Sequence, residues 1–220
     1  MAALSFDEAV ELTRTGDVWI FRGASVADRA IRAVTNAPVN HVGMAVVLDD
    51  LPPLLWHAEL GRSLPDVWTG EHQRGVQLHD LRDAVLTWRR RYGQQPYLRQ
   101  LVGPADDGGV PREMEDAVLR TVARLDGKPF PTTRGLATGW INGRLRRRTS
   151  AEAVYCAELV AATYTAMGLL AKDRPLKAYD PGSFWSGDRL ELVDARLGSE
   201  VAVDVPATGP FSPAGGPAAR

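Results

Sequence analysis

A thiol, four imidazoles and a scatter of carboxylates are the side chains of this 220-residue chain that could make or break covalent bonds. The one cysteine, Cys156, lies in the run Val154-Tyr155-Cys156-Ala157-Glu158-Leu159-Val160. A thiolate becomes a working nucleophile where a positive potential, a base and oxyanion donors surround it. A lone cysteine in a helix is more often a small buried hydrophobe, so the chemistry depends on a partner. Of His41, His57, His72 and His79, His41 is the best placed. It opens an apolar run directly after Asn40 and the Pro38 turn, the position of a base aimed from a strand end. His57, in the returning strand of the same hairpin, can hydrogen-bond the other nitrogen of His41 and fix its tautomer. Glu59 shares a strand face with His57 by alternation and is the alternative third member. Tyr155 and Asn40 flank the pair and could line the site. His72 and His79 sit in loop-like or edge surroundings and are expected at the surface. The reaction these types support is acyl transfer: His41 takes the thiol proton, Cys156 attacks a carbonyl, and its backbone N–H helps hold the oxyanion.

Such a pair must be positioned by ordered elements, and the pattern supplies them. Ser5 to Glu8 reads S-x-x-E before a periodic apolar segment, a capping-box signature that Gly16 terminates. Asp17 to Phe21 reads as a strand, Ser25 to Thr35 as a short helix stopped by Pro38, and His41 to Leu48 as a second strand. Asp49-Asp50-Leu51-Pro52-Pro53 is turn chemistry, after which Leu54 to Glu59 returns as the partner of a hairpin. Gly75 to Leu78 leads into a helix from Asp80 to Arg91, and Tyr97 to Val102 is extended. Pro111 opens a helix to Leu125. The stretch Gly127 to Ser150 holds Gly, Pro and the basic run Arg144 to Arg148, which reads as a solvated face with an acidic substrate as its functional alternative. The Cys156 helix runs to Met167 with Gly168 as its C-cap. Its start is open: near Tyr155 the thiol would sit at the helix N-terminus, whereas a cap at Ser150 would put it in the second turn. Leu190 to Val193 reads as a last core strand. A single domain over residues 1–204 and a disordered Pro/Gly/Ala-rich tail over 205–220 are expected.

Composition narrows the class. Apolar residues make up 45% and charged residues 24%, the balance of an ordinary globular protein. A net charge of −1 offers no broad field for nucleic acid. One cysteine gives no internal disulfide, and neither a signal peptide nor an apolar run long enough for a bilayer is evident, so a cytoplasmic location is expected.

The order of these motifs resembles a known family. Gly16-Asp17-Val18-Trp19-Ile20-Phe21, then His41-Val42-Gly43 with its apolar run, then His57-Ala58, and far downstream Cys156-Ala157-Glu158-Leu159-Val160, is similar to the circularly permuted papain-like hydrolases related to the NlpC group, in particular the bacterial YiiX/YaeF-like branch. Lecithin:retinol acyltransferase is a more distant relative with the same His-before-Cys order. The resemblance implies an α+β fold in which an antiparallel, barrel-like sheet packs against helices. It also implies Cys156 as nucleophile, His41 as base and His57 as the residue orienting it. That branch often carries Glu at the third position and a small hydroxyl residue before the histidine, where this chain has His57 and Asn40.

The expectation is a thiol hydrolase of amidase or peptidase type acting on a small-molecule or peptide-like amide, with no cofactor, no metal, no nucleic acid and no integral membrane segment. Its rivals are a lipid or thioester acyltransferase or esterase on the same fold, and a non-catalytic or metal-binding module using His41, His57, Glu59 and Cys156. Substrate identity and oligomeric state are not written in the sequence.

Overall fold

The computed structural model describes residues 3–23, 38–59, 61, 63–129, 151–188 and 190–206, with the backbone alone for 151–154 and 188. The expected helix Ser25 to Thr35, the basic run Arg144 to Arg148 and residues 207–220 of the expected tail lie outside these.

Local signals become local structure where the sequence supplies its own partners. Strand β1 (Leu4–Ser5) meets helix α1 (Phe6–Glu11) at a complete capping box. Glu8 N–H donates to Ser5 Oγ at 3.3 Å and Ser5 N–H to Glu8 Oε2 at 3.0 Å, so two donors otherwise left open at a helix start are satisfied. The next strand, β2, is Val18–Arg22. Asp17 stays just outside it as a strand-end acceptor, for Arg14 N–H at 2.9 Å and Leu101 N–H at 2.7 Å. Burial, only partly offset by those bonds, pushes its carboxyl up to about 6.

The hairpin forms as β3 (His41–Val46) and β4 (Leu54–Glu59), and β5 (Gly75–Asp80) adds to its far side. Helix α2 (Leu81–Tyr92) follows without a loop because Asp80, the last strand residue, is also its N-cap and accepts from Asp83 N–H at 2.9 Å. Asp80→Ala is expected to cost about 1 kcal/mol of stability, measured by urea unfolding. No loss would mean that the junction is held by packing instead.

The extended stretch after α2 is two strands, β6 (Gln95–Arg99) and β7 (Leu101–Val102). Helix α3 is Arg112–Leu125, with Pro111 as its N-cap rather than its first turn. Helix α4 is Ala151–Ala166, and Gly168 beyond it takes the left-handed conformation, φ +81°, as expected of a C-cap. Leu190 to Val193 is not a strand. Its leucines pack against the core, but Val193 N–H is bonded to Leu169 and Asp194 turns the chain at φ +51°. The last strands come later, as β8 (Arg196–Leu197) and β9 (Val201–Asp204).

Seven strands form one sheet in the order β1-β9-β6-β2-β3-β4-β5, and β7 pairs with β8 apart from it. The β1–β9 pair is parallel and every other pair is antiparallel. The fold is therefore α+β as expected, but the sheet is mixed, and among the described residues it is open, with β1 and β5 at its ends rather than closed into a barrel.

Alternation along the strands splits the core into two layers. Val18, Ile20, Val42, Met44, Trp56 and Ala58 pack with α3 and α4, and Trp56 Nε1 donates to Thr163 Oγ1 of α4 at 3.1 Å. Trp19, Phe21, Ala45 and Leu55 face the other way, against α1 and α2.

Candidate functional site: a buried chain of three histidines

Three adjacent strands each place one histidine on the face covered by α2. In the β4–β5 register, Leu55 pairs with His79 and His57 with Gln77, so His57 and His79 are diagonal neighbours on one face. The rings meet head to tail: His41 Nε2 lies 2.9 Å from His57 Nδ1, and His57 Nε2 lies 2.9 Å from His79 Nδ1. Trp88 of α2 closes over them, stacked on His41 at 5.3 Å between centroids and edge-on to His57 at 5.2 Å, while Phe21 flanks His41.

Gly43 makes the close approach possible. A Cβ there would fall 2.7 Å from Leu55 Cδ1 and 3.2 Å from His57 Cβ. Gly43→Ala is expected to cost about 1–3 kcal/mol through overpacking and to push His57 away from His41. Urea unfolding measures the first effect, and an unchanged midpoint would show that the hairpin yields at this point.

Burial governs the electrostatics. His57 and His79 are 0% exposed and His41 is 3% exposed. Desolvation, helped by the neighbouring imidazoles, pushes His41 down to about 3 and His57 well below the usual histidine range. Burial brings His79 down to about 4, against the opposing pull of the Asp66 carboxylate and the Leu64 backbone. All three rings are neutral at pH 7, so each carries one N–H and one bare nitrogen.

The expected site residues fall into two groups. His41 and His57 are brought together as the hairpin predicts. His79 joins them, which corrects its reading as a surface residue: the face it shares with Gln77 looks solvent-facing in the sequence, but α2 covers it. His72 is exposed, as expected. Glu59 accepts from Ser63 Oγ at 2.7 Å and from Gln77 Nε2 at 3.2 Å, which ties it to the loop after β4 and to β5. Asn40 Oδ1 accepts from Gly23 N–H at 2.8 Å and so ties the end of β2 to the start of β3.

Cys156 is fully buried in the second turn of α4 and belongs to the core layer of Val42, Met44 and Tyr164, on the sheet face opposite Trp88. The helix-terminus activation available to a thiol in the first turn is correspondingly reduced. Tyr155, beside it, is half-buried against the same layer.

A metal module built from His41, His57, Glu59 and Cys156 needs donors that converge on one point. Here the inner ring nitrogens face one another, and among the described residues no group of three or more His, Cys, Asp or Glu is placed to hold a metal ion. Those residues do not form a metal site. No described helix is long and apolar enough to cross a membrane.

Fold and site together define an α+β protein whose open mixed sheet carries a buried polar chain of three imidazoles. No family model matches the chain, and none of the curated proteins matches it. Among solved structures it is similar to one described as the metalloprotein yiiX from Escherichia coli O157:H7, at 20% identity, with 86% of this chain and 88% of that chain covered and a TM-score of 0.47.

Proposed function

We propose that this protein is a thiol-dependent hydrolase on a permuted papain-like fold, with Cys156 as nucleophile, His41 as general base and His57 as the residue that orients His41. The observation that carries this reading is the 2.9 Å contact between His41 Nε2 and His57 Nδ1, the orienting hydrogen bond a base of this kind requires. Burying three imidazoles side by side is costly, since each loses its hydration. An apolar cluster of equal volume would be the more stable core, so retention of the polar chain fits a functional role.

His41 is the first residue of β3, so its ring lies at that end of the α2-covered face, against Trp88. The reading requires the thiol on α4 to meet Nδ1 of His41 around that end. Attack on an amide carbonyl forms the C–S bond and breaks the C–N bond, the amine leaving with the proton His41 took from the thiol, and water then hydrolyses the thioester. Peptide-like amides are the proposed substrates, with lipid or thioester acyl groups as the variant.

The direct test is labelling by an acyl electrophile at neutral pH, followed by peptide mass mapping. Acylation at Cys156 that is faster than that of a free thiol and lost on His41→Gln supports the proposal. Labelling at the free-thiol rate, unaffected by His41→Gln, rules it out.

A further inference from the structure

We infer that the histidine chain is a polarised proton wire, in which His79 acts as a positioning residue that keeps Nδ1 of His41 bare and ready to take a proton. The inference rests on the proposed role of His41 and extends that site by one residue.

The two 2.9 Å contacts admit two ordered sets of tautomers. In one, every ring is protonated at Nε2: His41 donates to His57, His57 donates to His79, and His41 Nδ1 carries a free lone pair. In the other, every ring is protonated at Nδ1, each bond is reversed, and His41 Nδ1 carries a hydrogen and cannot act as a base. Mixed sets place two N–H groups or two lone pairs against each other, which forfeits a buried hydrogen bond. The choice at His41 is therefore made at the other end of the chain.

That end is His79 Nε2, a buried nitrogen with no hydrogen-bond partner within full bonding geometry. Two acceptor groups favour a proton on this ring, and His72, the smallest of the influences on it, opposes them. The backbone group that favours a proton on this ring is at Leu64, and a backbone group that does so is a carbonyl. The nearby Asp66 carboxylate acts in the same sense. Asp66 lies beside β5, its carboxyl oxygens accepting from Leu78 N–H at 3.0 Å, Trp68 N–H at 3.0 Å and Thr69 N–H at 2.9 Å. An N–H at His79 Nε2 points its positive end toward these groups, whereas a lone pair there would face like charge. The all-Nε2 set is favoured, and with it the base-competent form of His41.

The same order gives a path for the proton. When Cys156 S–H transfers its proton to His41 Nδ1, the Nε2 proton of His41 can move to His57 Nδ1, and the Nε2 proton of His57 to His79 Nδ1. One proton enters the chain at His41. Charge +1 leaves His41 and rests on His79, near Asp66, against charge −1 on sulfur. Protonation of the leaving group reverses the steps.

The test reads the tautomers directly, by long-range proton–nitrogen correlation NMR of the ¹⁵N-histidine-labelled full chain at pH 7.5. In the wild type, the bare nitrogen of His41, His57 and His79 is expected to be Nδ1 in each ring. Protonation of the three rings at Nδ1 instead overturns the polarity, whatever the activity. His79→Leu is expected to bring in the Nδ1–H form of His41 and to slow acylation of Cys156 roughly 10–100-fold, the range for loss of an outer partner of a functional histidine. His79→Asn, whose Oδ1 can replace the acceptor at Nδ1, is expected to keep the wild-type tautomer at His41 and needs no large refolding of the core. If His79→Leu changes neither spectrum nor acylation, the wire is refuted while the Cys156–His41 reading stands. If the wild type shows the ordered tautomers but Cys156 is never acylated, the polarity holds and the hydrolase reading fails.

Discussion

Cys156→Ala is expected to abolish covalent labelling by acyl electrophiles and to lower turnover of amide, ester and thioester test substrates by roughly 10⁴–10⁶-fold, the loss seen when a covalent nucleophile is removed. Deleting one sulfur atom from a packed layer costs only about 1 kcal/mol, so the variant should fold and unfold much like the wild type. That separation makes the experiment decisive. His41→Gln is expected to retain the thiol but lose roughly 10²–10⁴-fold in acylation rate for want of a general base. Residual turnover of Cys156→Ala near the wild-type level would mean that the carbonyl is attacked by another group. The burial of Cys156 on α4 gives the test a second reading: small acyl probes should label faster than bulky ones of equal reactivity.

The second large effect is on stability against acid. His41, His57 and His79 are held below the ordinary histidine value near 6.5 by burial. Below about pH 6.5 the unfolded chain therefore binds protons that the folded chain refuses, and stability falls as pH falls. Asp17 and Asp126, raised by burial to about 6, act in the opposite sense between about pH 4 and 6, because there the folded chain holds the extra proton. Asp126 is the more open to water and counts for less. The balance is a net uptake of about one to two protons on unfolding, about 1.4 kcal/mol per pH unit for each. A loss of about 2–4 kcal/mol is expected between pH 6.5 and 4.5. Urea unfolding across that range measures it, and His79→Leu should flatten the slope by about one proton. Stability that stays level to pH 4.5 would contradict the neutral, buried state of the three rings.

The meeting of His41 and His57 was legible in advance because it needs only a hairpin. Asp49 to Pro53 is turn chemistry, the two strands flank it, and antiparallel pairing with period-two alternation then brings the two positions to one face. The capping box at Ser5 and the left-handed cap at Gly168 were legible for the same reason: each is satisfied by residues a few positions away.

His79 is not legible from the sequence, although Gly75 to Leu78 reads as extended. Whether the Gln77–His79 face meets water or a helix depends on where α2 goes, and only its folding back to set Trp88 over the rings makes that face an interior. Nor could the N- and C-terminal strands be matched from sequence, since β9 enters beside β1 through contacts across nearly the whole chain. Hydrogen-bonding needs and alternation act over a few residues, and through them the sequence determined most of the elements before Gly168, the hairpin and the first histidine pair. Layering against helices is settled by distant burial, and through it the tertiary structure alone decided that the pair is a chain of three, sealed beneath Trp88, with Cys156 rooted in the opposite layer.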